Sequence, residues 1–117
     1  MNIDNQLEII ENNGERFNIA MSYGDWRVAY LNYAESHKEG NIEFLEKHLE
    51  TDEVFVLMSG KATLLIGKEC ARIEMEPCKV YNVKKGVWHN IILSEDAKIL
   101  LVENKDTSKE NSEYLYL

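Results

Sequence analysis

Short segments rich in β-branched, aromatic and aliphatic residues recur along this chain, and turn-forming residues separate them. The predicted strands are Leu7–Glu11, Arg16–Ser22, Trp26–Tyr33, Glu43–Leu49, Glu53–Met58, Ala62–Ile66, Cys70–Met75, Val80–Val83, Trp88–Leu93 and Lys98–Glu103. The pair Asn13-Gly14, a strong hairpin turn, predicts that the first two strands pair with each other. Because the intervening gaps are too short for crossover helices, the spacing predicts an all-β antiparallel sandwich or barrel.

Length and charge restrict the class of protein further. The chain has 117 residues, enough for one domain with one hydrophobic core. Its formal net charge is -8, which argues against nucleic acid or an anionic membrane surface as a partner. No apolar run approaches the roughly 20 residues that span a bilayer, and the N-terminus lacks the pattern of a signal peptide. We therefore expect a cytoplasmic protein.

Two cysteines, Cys70 and Cys78, lie eight positions apart and form no Cys-x-x-Cys motif. In a reducing compartment we expect both to be free thiols. A disulfide between them, or a thiolate metal site, stays open as an alternative.

Four side chains with metal-binding chemistry lie on three predicted strands: Glu46 and His48 on one, Glu53 on the next, and His89 on a later one. Alternate residues of a strand share a face, so Glu46 and His48 point the same way. Glu53 and His89 each share a face with the apolar residues two and four positions later. Because those apolar residues are expected in the core, Glu53 and His89 should also point inward. The four side chains, here called the Glu/His cluster, are therefore predicted to meet inside the barrel mouth.

Such a cluster admits two interpretations. His48, Glu53 and His89 would form the two-histidine, one-carboxylate face used by non-haem iron, and Glu46 would add a fourth ligand. Nitrogen and oxygen ligands suit one divalent ion of Mn, Fe, Ni or Zn, and no organic cofactor is indicated. Alternatively, the two histidines and two glutamates satisfy one another by hydrogen bonds and salt bridges without a metal.

These residues resemble the sequence motifs of the cupin superfamily. The spacing His48-x4-Glu53-x6-Gly60 matches the second half of the first cupin motif, and Gly86-x2-His89 matches the centre of the second motif. The resemblance implies an antiparallel double-stranded β-helix, the jelly-roll barrel. It further implies a single cupin domain over residues 1–117, with a core barrel at about 16–103 and a polar tail at 104–117. The tail, expected to be loop-like over Asn104–Glu113, ends in Tyr114-Leu115-Tyr116-Leu117, which should dock on the barrel or on a neighbouring subunit.

The motif match departs from the family pattern at several positions. Glu46 stands where metal-binding cupins carry their first histidine ligand, and such cupins usually supply three His and one Glu. Lys84, Leu93 and Cys78 stand where the second motif has Pro, Asn and its leading Gly. The wording Gly86-Val87-Trp88-His89 looks like that of cupins of the ureidoglycolate-lyase type, a resemblance four residues long. By family resemblance, and because sheet edges need cover, we expect a homodimer.

Other polar and aromatic residues are candidates for contact with a substrate. Arg27 lies among apolar strand residues and would either bind a substrate carboxylate bidentately or pair with one of the chain's many surface acids. Tyr30 and Tyr81 are candidates for lining the cavity, although strand aromatics are more often plain core. Trp88 should point away from the site and pack in the core or an interface. His37 lies in a polar loop, where we expect it to be solvated.

The first functional hypothesis is a metal-dependent enzyme acting on a small polar molecule. Glu46 or Glu53 would serve as the general base if it is not a ligand, and lyase, isomerase and dioxygenase chemistry are all compatible. The second hypothesis is a metal-free module that binds or senses a small molecule without catalysis. The third is a scaffold in a dimer, because a fold does not by itself fix a function.

Overall fold

A computed structural model, which describes residues 5–117, places ten strands in two five-stranded antiparallel sheets. The strands are β1 Phe17–Tyr23, β2 Trp26–Asn32, β3 Phe44–His48, β4 Glu53–Ser59, β5 Ala62–Ile66, β6 Ala71–Glu74, β7 Tyr81–Val83, β8 His89–Leu93, β9 Lys98–Asn104 and β10 Ser112–Tyr116. The first sheet has the order β1-β2-β9-β4-β7, and the second has the order β10-β3-β8-β5-β6. The antiparallel all-β architecture predicted from the strand spacing is confirmed, and so is the jelly roll that the family resemblance implies.

One hydrophobic core lies between the two sheets. Alternate residues of the central strands face inward and are buried, as the period of two along a strand requires. The largest contributions come from Phe55, Leu57, Leu64, Ile91, Leu93, Ile99 and Leu101. At one end of the same strands, the inward positions change from apolar to charged residues. These positions form the candidate site described below.

The predicted strand Leu7–Glu11 is wrong, since residues 7–14 form no ladder with any other strand. The side chains of Asn12 and Asn13 accept hydrogen bonds from the backbone N–H groups of Gly14 and Glu15, at 3.0 and 2.9 Å. These local bonds replace the two-residue hairpin that Asn13-Gly14 was expected to form. The segment is instead attached to β2 by two reciprocal hydrogen bonds between the side-chain amides of Asn12 and Asn32, each 2.8 Å long.

The C-terminal tail contains a strand that the sequence did not indicate. Residues predicted to be loop-like include a short 3-10 turn at Lys109–Asn111, and β10 then begins at Ser112. Strand β10 pairs antiparallel with β3, and the rings of Tyr114 and Tyr116 pack against Phe44 at 5.4 and 5.8 Å between centroids. The apolar end therefore docks on its own barrel, one of the two alternatives expected.

Helical structure in residues 5–117 is limited to two three-residue 3-10 turns, Glu35–His37 and Lys109–Asn111. Within that range, no helix has the length and apolar character needed to cross a bilayer. Cys70 and Cys78 are both free thiols, as expected.

Replacing Gly60, the last residue of the first motif, should destabilise the fold strongly. Gly60 has φ +76°, and a Cβ atom there would lie 2.6 Å from the Cα of Ala97. Gly67 has a similar φ of +79° but open space around it, so Gly67→Ala is a matched control for backbone strain alone. We expect Gly60→Ala to lower the free energy of unfolding by about 2 kcal/mol more than Gly67→Ala, measured by urea denaturation. Equal losses in the two variants would contradict the close packing at Gly60.

Candidate functional site

The open end of the barrel contains a cavity of about 230 Å³, here called the inner cavity. The Glu/His cluster lines it: β3 supplies Glu46 and His48, β4 supplies Glu53, and β8 supplies His89. Glu46 and His89 are direct partners in the β3–β8 register, so their side chains lie on the same face. One potential ligand atom from each of the four residues lies within 4.8 Å of all the others. The convergence predicted from the strand alternation is therefore found.

Glu53 is the centre of the cluster and is only 5% exposed. Its Oε1 atom lies 3.1 Å from His48 Nε2 and 2.9 Å from His89 Nε2. Burial alone would raise the pKa of Glu53, but hydrogen bonds from His48, His89 and Glu103 outweigh it and hold the pKa well below its usual range. Glu53 is therefore a carboxylate anion in the fold. Burial would lower the pKa of His48, but its hydrogen bond to Glu53 and the negative charge of Glu53 raise it above its usual value.

Both cluster imidazoles are oriented by a partner on their far nitrogen. His89 Nδ1 lies 2.9 Å from the carbonyl oxygen of Val87, which can only accept, so Nδ1 carries a proton. His48 Nδ1 lies 2.8 Å from the hydroxyl of Ser112 on β10. In both residues Nε2 faces the interior of the cluster. This is the arrangement by which metal-binding histidines are oriented, with the outer nitrogen held and the inner nitrogen presented to the ion.

Glu46 is the least buried member of the cluster, and its Oε1 atom lies 3.8 Å from His48 Nε2. Burial raises the pKa of the Glu46 carboxyl, and the nearby negative charge of Glu53 raises it further. A carboxyl group of this kind can exchange a proton with a molecule in the cavity more readily than an ordinary surface glutamate.

A second buried acid, Glu103 on β9, extends the polar wall of the cavity. It accepts two bonds from Arg27 on β2, from Nε at 3.0 Å and Nη2 at 2.5 Å, and the two residues are direct register partners. Burial, together with hydrogen bonding to Glu53, raises the pKa of Glu103 to about 8 despite Arg27. Of the two roles considered for Arg27, the structure shows pairing with an acid, although the acid is buried.

The two tyrosines predicted to line the cavity do not do so. Tyr30 lies on the outer face of β2, and its hydroxyl donates to the carbonyl of Ile10 at 2.8 Å. Tyr81 packs against the hydrophobic core, and its hydroxyl accepts the backbone N–H of Glu76 at 2.9 Å. Trp88 points away from the site, as expected, and the Lys47 ammonium lies 4.6 Å from its ring centroid.

The expectation that His37 is solvated is wrong, because His37 is only 8% exposed. Its Nδ1 atom lies 2.9 Å from the carbonyl oxygen of Ile91, and its Nε2 atom lies 3.2 Å from Nη1 of Arg16. The carbonyl can only accept, so Nδ1 carries the proton and Nε2 accepts from Arg16. His37 is thus a neutral imidazole. Its pKa is lowered by burial, and the hydrogen bond to Ile91 opposes this while Arg16 adds to it.

Three residues of the site were missed from the sequence: Glu103, Ser112 and Arg16. Glu103 had a signal, since it continues the inward series Ile99 and Leu101 on a strand that was predicted. Ser112 had none, because its position depends on β10 adding to the edge of β3. Arg16 also lacked a signal, since it precedes β1 and reaches the cavity only through its contact with His37.

The donor set of the Glu/His cluster fits a divalent metal ion. Two imidazole nitrogens and two carboxylates, all within 4.8 Å of one another, can surround an ion with bonds of about 2.0–2.2 Å. The donors are nitrogen and oxygen without sulfur, which suits Mn, Fe, Ni or Zn.

The buried His37 predicts a specific pH dependence of stability. Its pKa in the fold lies below the ordinary value of about 6.5, so the unfolded chain takes up the proton first as pH falls. Its contribution to stability is therefore complete above about pH 6.5 and is lost progressively below it. We expect urea denaturation to show that His37→Gln is less sensitive to acidification from about pH 7.5 to about pH 5 than the unmodified chain. Equal sensitivity would contradict the neutral, buried state of His37.

Comparisons with known proteins identify the architecture. No model of a protein family and no curated protein matches the chain. Among solved structures, it is similar to Pac13, a nucleoside dehydratase of Streptomyces, with a TM-score of 0.68 and 7% identity over 86% of this chain and 78% of Pac13. A cupin-2 domain containing protein from Shewanella frigidimarina gives a TM-score of 0.63 and 23% identity over 81% of this chain and 85% of that protein. HppE in its Fe(II) form gives a TM-score of 0.60 and 14% identity over 88% and 62% of the two chains.

These similarities extend over most of the chain at low sequence identity, so they concern the fold. They agree with the two five-stranded sheets. The chain therefore has a jelly-roll fold similar to that of these solved structures, one of which is a cupin-2 domain containing protein.

Proposed function

We propose that the chain binds one divalent metal ion through His48, Glu53 and His89, with Glu46 left free to exchange a proton, and acts on a small polar molecule in the inner cavity. The observation that carries this proposal is the orientation of the two histidines. Each holds its Nδ1 atom on a partner outside the cluster and turns Nε2 inward, toward two carboxylates within 4.8 Å. Two histidines that only fill a core have no reason to direct their Nε2 atoms at the same point.

The charge distribution supports a cation at this position. Glu53 is a buried carboxylate, and Glu46 adds a second acidic side chain on the same side of the cavity. Two carboxylates and two neutral imidazoles would together balance the charge of a divalent ion. The Arg27–Glu103 pair lies behind Glu53 and keeps its carboxylate in place, as supporting residues around metal ligands do.

The proposed chemistry follows from the distribution of groups in the cavity. A bound divalent ion would supply Lewis-acid polarisation of a substrate oxygen. Glu46, the least buried of the four residues, would accept a proton from the carbon next to a polarised carbonyl and return it to a departing hydroxyl group, which leaves as water. Such an elimination is a lyase reaction, which the resemblance of Gly86–His89 to ureidoglycolate-lyase-like cupins also suggests. The fold shared with Pac13, a dehydratase by name, is compatible with it.

A second candidate function is a binding or sensing module that uses no metal. One observation favours it: within residues 5–117, every buried side-chain nitrogen and oxygen atom has a hydrogen-bond partner in the protein. Glu53, His48 and His89 could then form a self-contained polar floor for a small ligand. The homodimer and the cytoplasmic location expected from the sequence stay predictions, and sedimentation of a chain lacking Tyr114–Leu117 would test a role of the tail in a dimer.

Metal content distinguishes the two candidates. We expect the untagged protein, purified without added metal, to contain close to one equivalent of Mn, Fe, Ni or Zn by elemental mass spectrometry. His89→Ala should lower the content to about a tenth or less, because it removes a ligand. His37→Ala is the matched control, since it removes an imidazole that lies outside the cluster, and its metal content should be unchanged.

An unaltered metal content in His89→Ala would contradict the assignment of the site. If the unmodified protein stays metal-free after incubation with each of the four ions, metal-dependent catalysis is excluded and the binding module is favoured.

A further inference from the structure

Arg16 lies where two cavities meet. Beside the inner cavity is a second one of about 420 Å³, here called the outer cavity, bounded by the segment from Glu35 to Asn41 and by the start of β3. Arg16, His37, Glu46 and Asn90 line both cavities. The two cavities are therefore neighbours, and Arg16 lies beside both of them.

Arg16 is held at this junction by His37. The imidazole of His37 is fixed by its Nδ1–H bond to the carbonyl of Ile91, so its Nε2 lone pair points at Arg16 Nη1, 3.2 Å away. This contact uses one N–H of a guanidinium that has five. A buried neutral histidine is a weak partner for an arginine, because it supplies no opposite charge.

Arg16 also differs from the other two arginines of the chain in its partners. Arg27 is paired with Glu103, and Arg72 is paired with Glu39. Within residues 5–117, no carboxylate lies at ion-pair distance from Arg16. A guanidinium at a cavity junction, oriented by a buried group and lacking an acidic partner in the described chain, is a suitable site for an external anion.

We propose that Arg16 binds the carboxylate of a small organic acid, and that His37 positions Arg16 for this contact. The inference rests on the proposed function and specifies its substrate class: a carboxylic acid whose polar groups lie against the Glu/His cluster. A monoanion fits better than a phosphate dianion, because Glu35, Glu43 and Glu46 line the same outer cavity and Arg16 is the one Arg or Lys among its described lining residues.

The arrangement gives each group a separate task. Arg16 fixes the acid by its charge and its planar fork of donors, and Glu46 stands between that anchor and the rest of the cluster. Asn90, whose amide nitrogen donates to the carbonyl of Phe44 at 2.8 Å, also lines both cavities and adds no charge. Discrimination between an acid and its neutral amide is therefore expected to depend on Arg16.

The test is an NMR titration of the full ¹⁵N-labelled chain, with and without Zn²⁺, using glycolate and its neutral analogue glycolamide as probes. We expect Arg16→Gln to weaken glycolate binding by about tenfold or more and to leave glycolamide binding unchanged. Arg16→Lys should lose part of the affinity for glycolate, because a lysine keeps the positive charge but not the planar pair of guanidinium donors. His37→Gln should weaken the binding of glycolate but not that of glycolamide, whereas a general loss of structure would weaken both.

Arg72→Gln is the matched control, since it makes the same change in net charge at an exposed arginine outside both cavities. Equal glycolate affinity in Arg16→Gln and Arg72→Gln, or equal binding of glycolate and glycolamide by the unmodified chain, would overturn the inference. So would the absence of glycolate binding both with and without Zn²⁺. Zn²⁺ content, measured on the same samples, tests the proposed metal site separately. Uptake of Zn²⁺ together with glycolate binding that does not depend on Arg16 would support the metal site and contradict the anion site. Glycolate binding that depends on Arg16 without uptake of Zn²⁺ would support the anion site and contradict the metal site.

Discussion

The buried carboxylate of Glu53 is the constraint on which the rest of the site depends. An ionised carboxyl group removed from water is costly unless donors or cations surround it. In this barrel His48 and His89 direct donors at Glu53, and the Arg27–Glu103 pair completes the polar surroundings of the carboxylate. Five elements of both sheets, β2, β3, β4, β8 and β9, must therefore be in register before this carboxylate is satisfied.

The geometry of the jelly roll explains why the site lies where it does. The inward positions of the central strands are apolar through the middle of the barrel and become charged at one end. The alternation that buries Phe55 and Leu57 therefore also turns Glu53 into the cavity, and the same holds for Ile91 and His89. Core packing and the site are thus consequences of one strand register, and a one-residue slip would move the ligands to the outside.

The sequence predicts β1 to β9 and the Glu/His cluster because both depend on local alternation. Tyr30 could have been excluded by the same rule, since it is three positions from Arg27 and cannot share its face. Glu103 was predictable from alternation in β9 but was overlooked. Ser112 and His37 were not predictable, because their burial results from contacts between segments distant in sequence: the addition of β10 to β3, and the docking of a 3-10 turn on Ile91. Nonlocal contacts of this kind leave no periodic pattern.

The central claim is that His48, His89 and Glu53, and no cysteine, bind one metal ion. X-ray absorption fine structure of the Zn²⁺-reconstituted protein tests it most directly. The account predicts only nitrogen and oxygen neighbours at about 2.0–2.2 Å, with the outer-shell scattering of two imidazole rings. A sulfur neighbour at about 2.3 Å, from Cys70 or Cys78, or a signal without imidazole scattering, would contradict it.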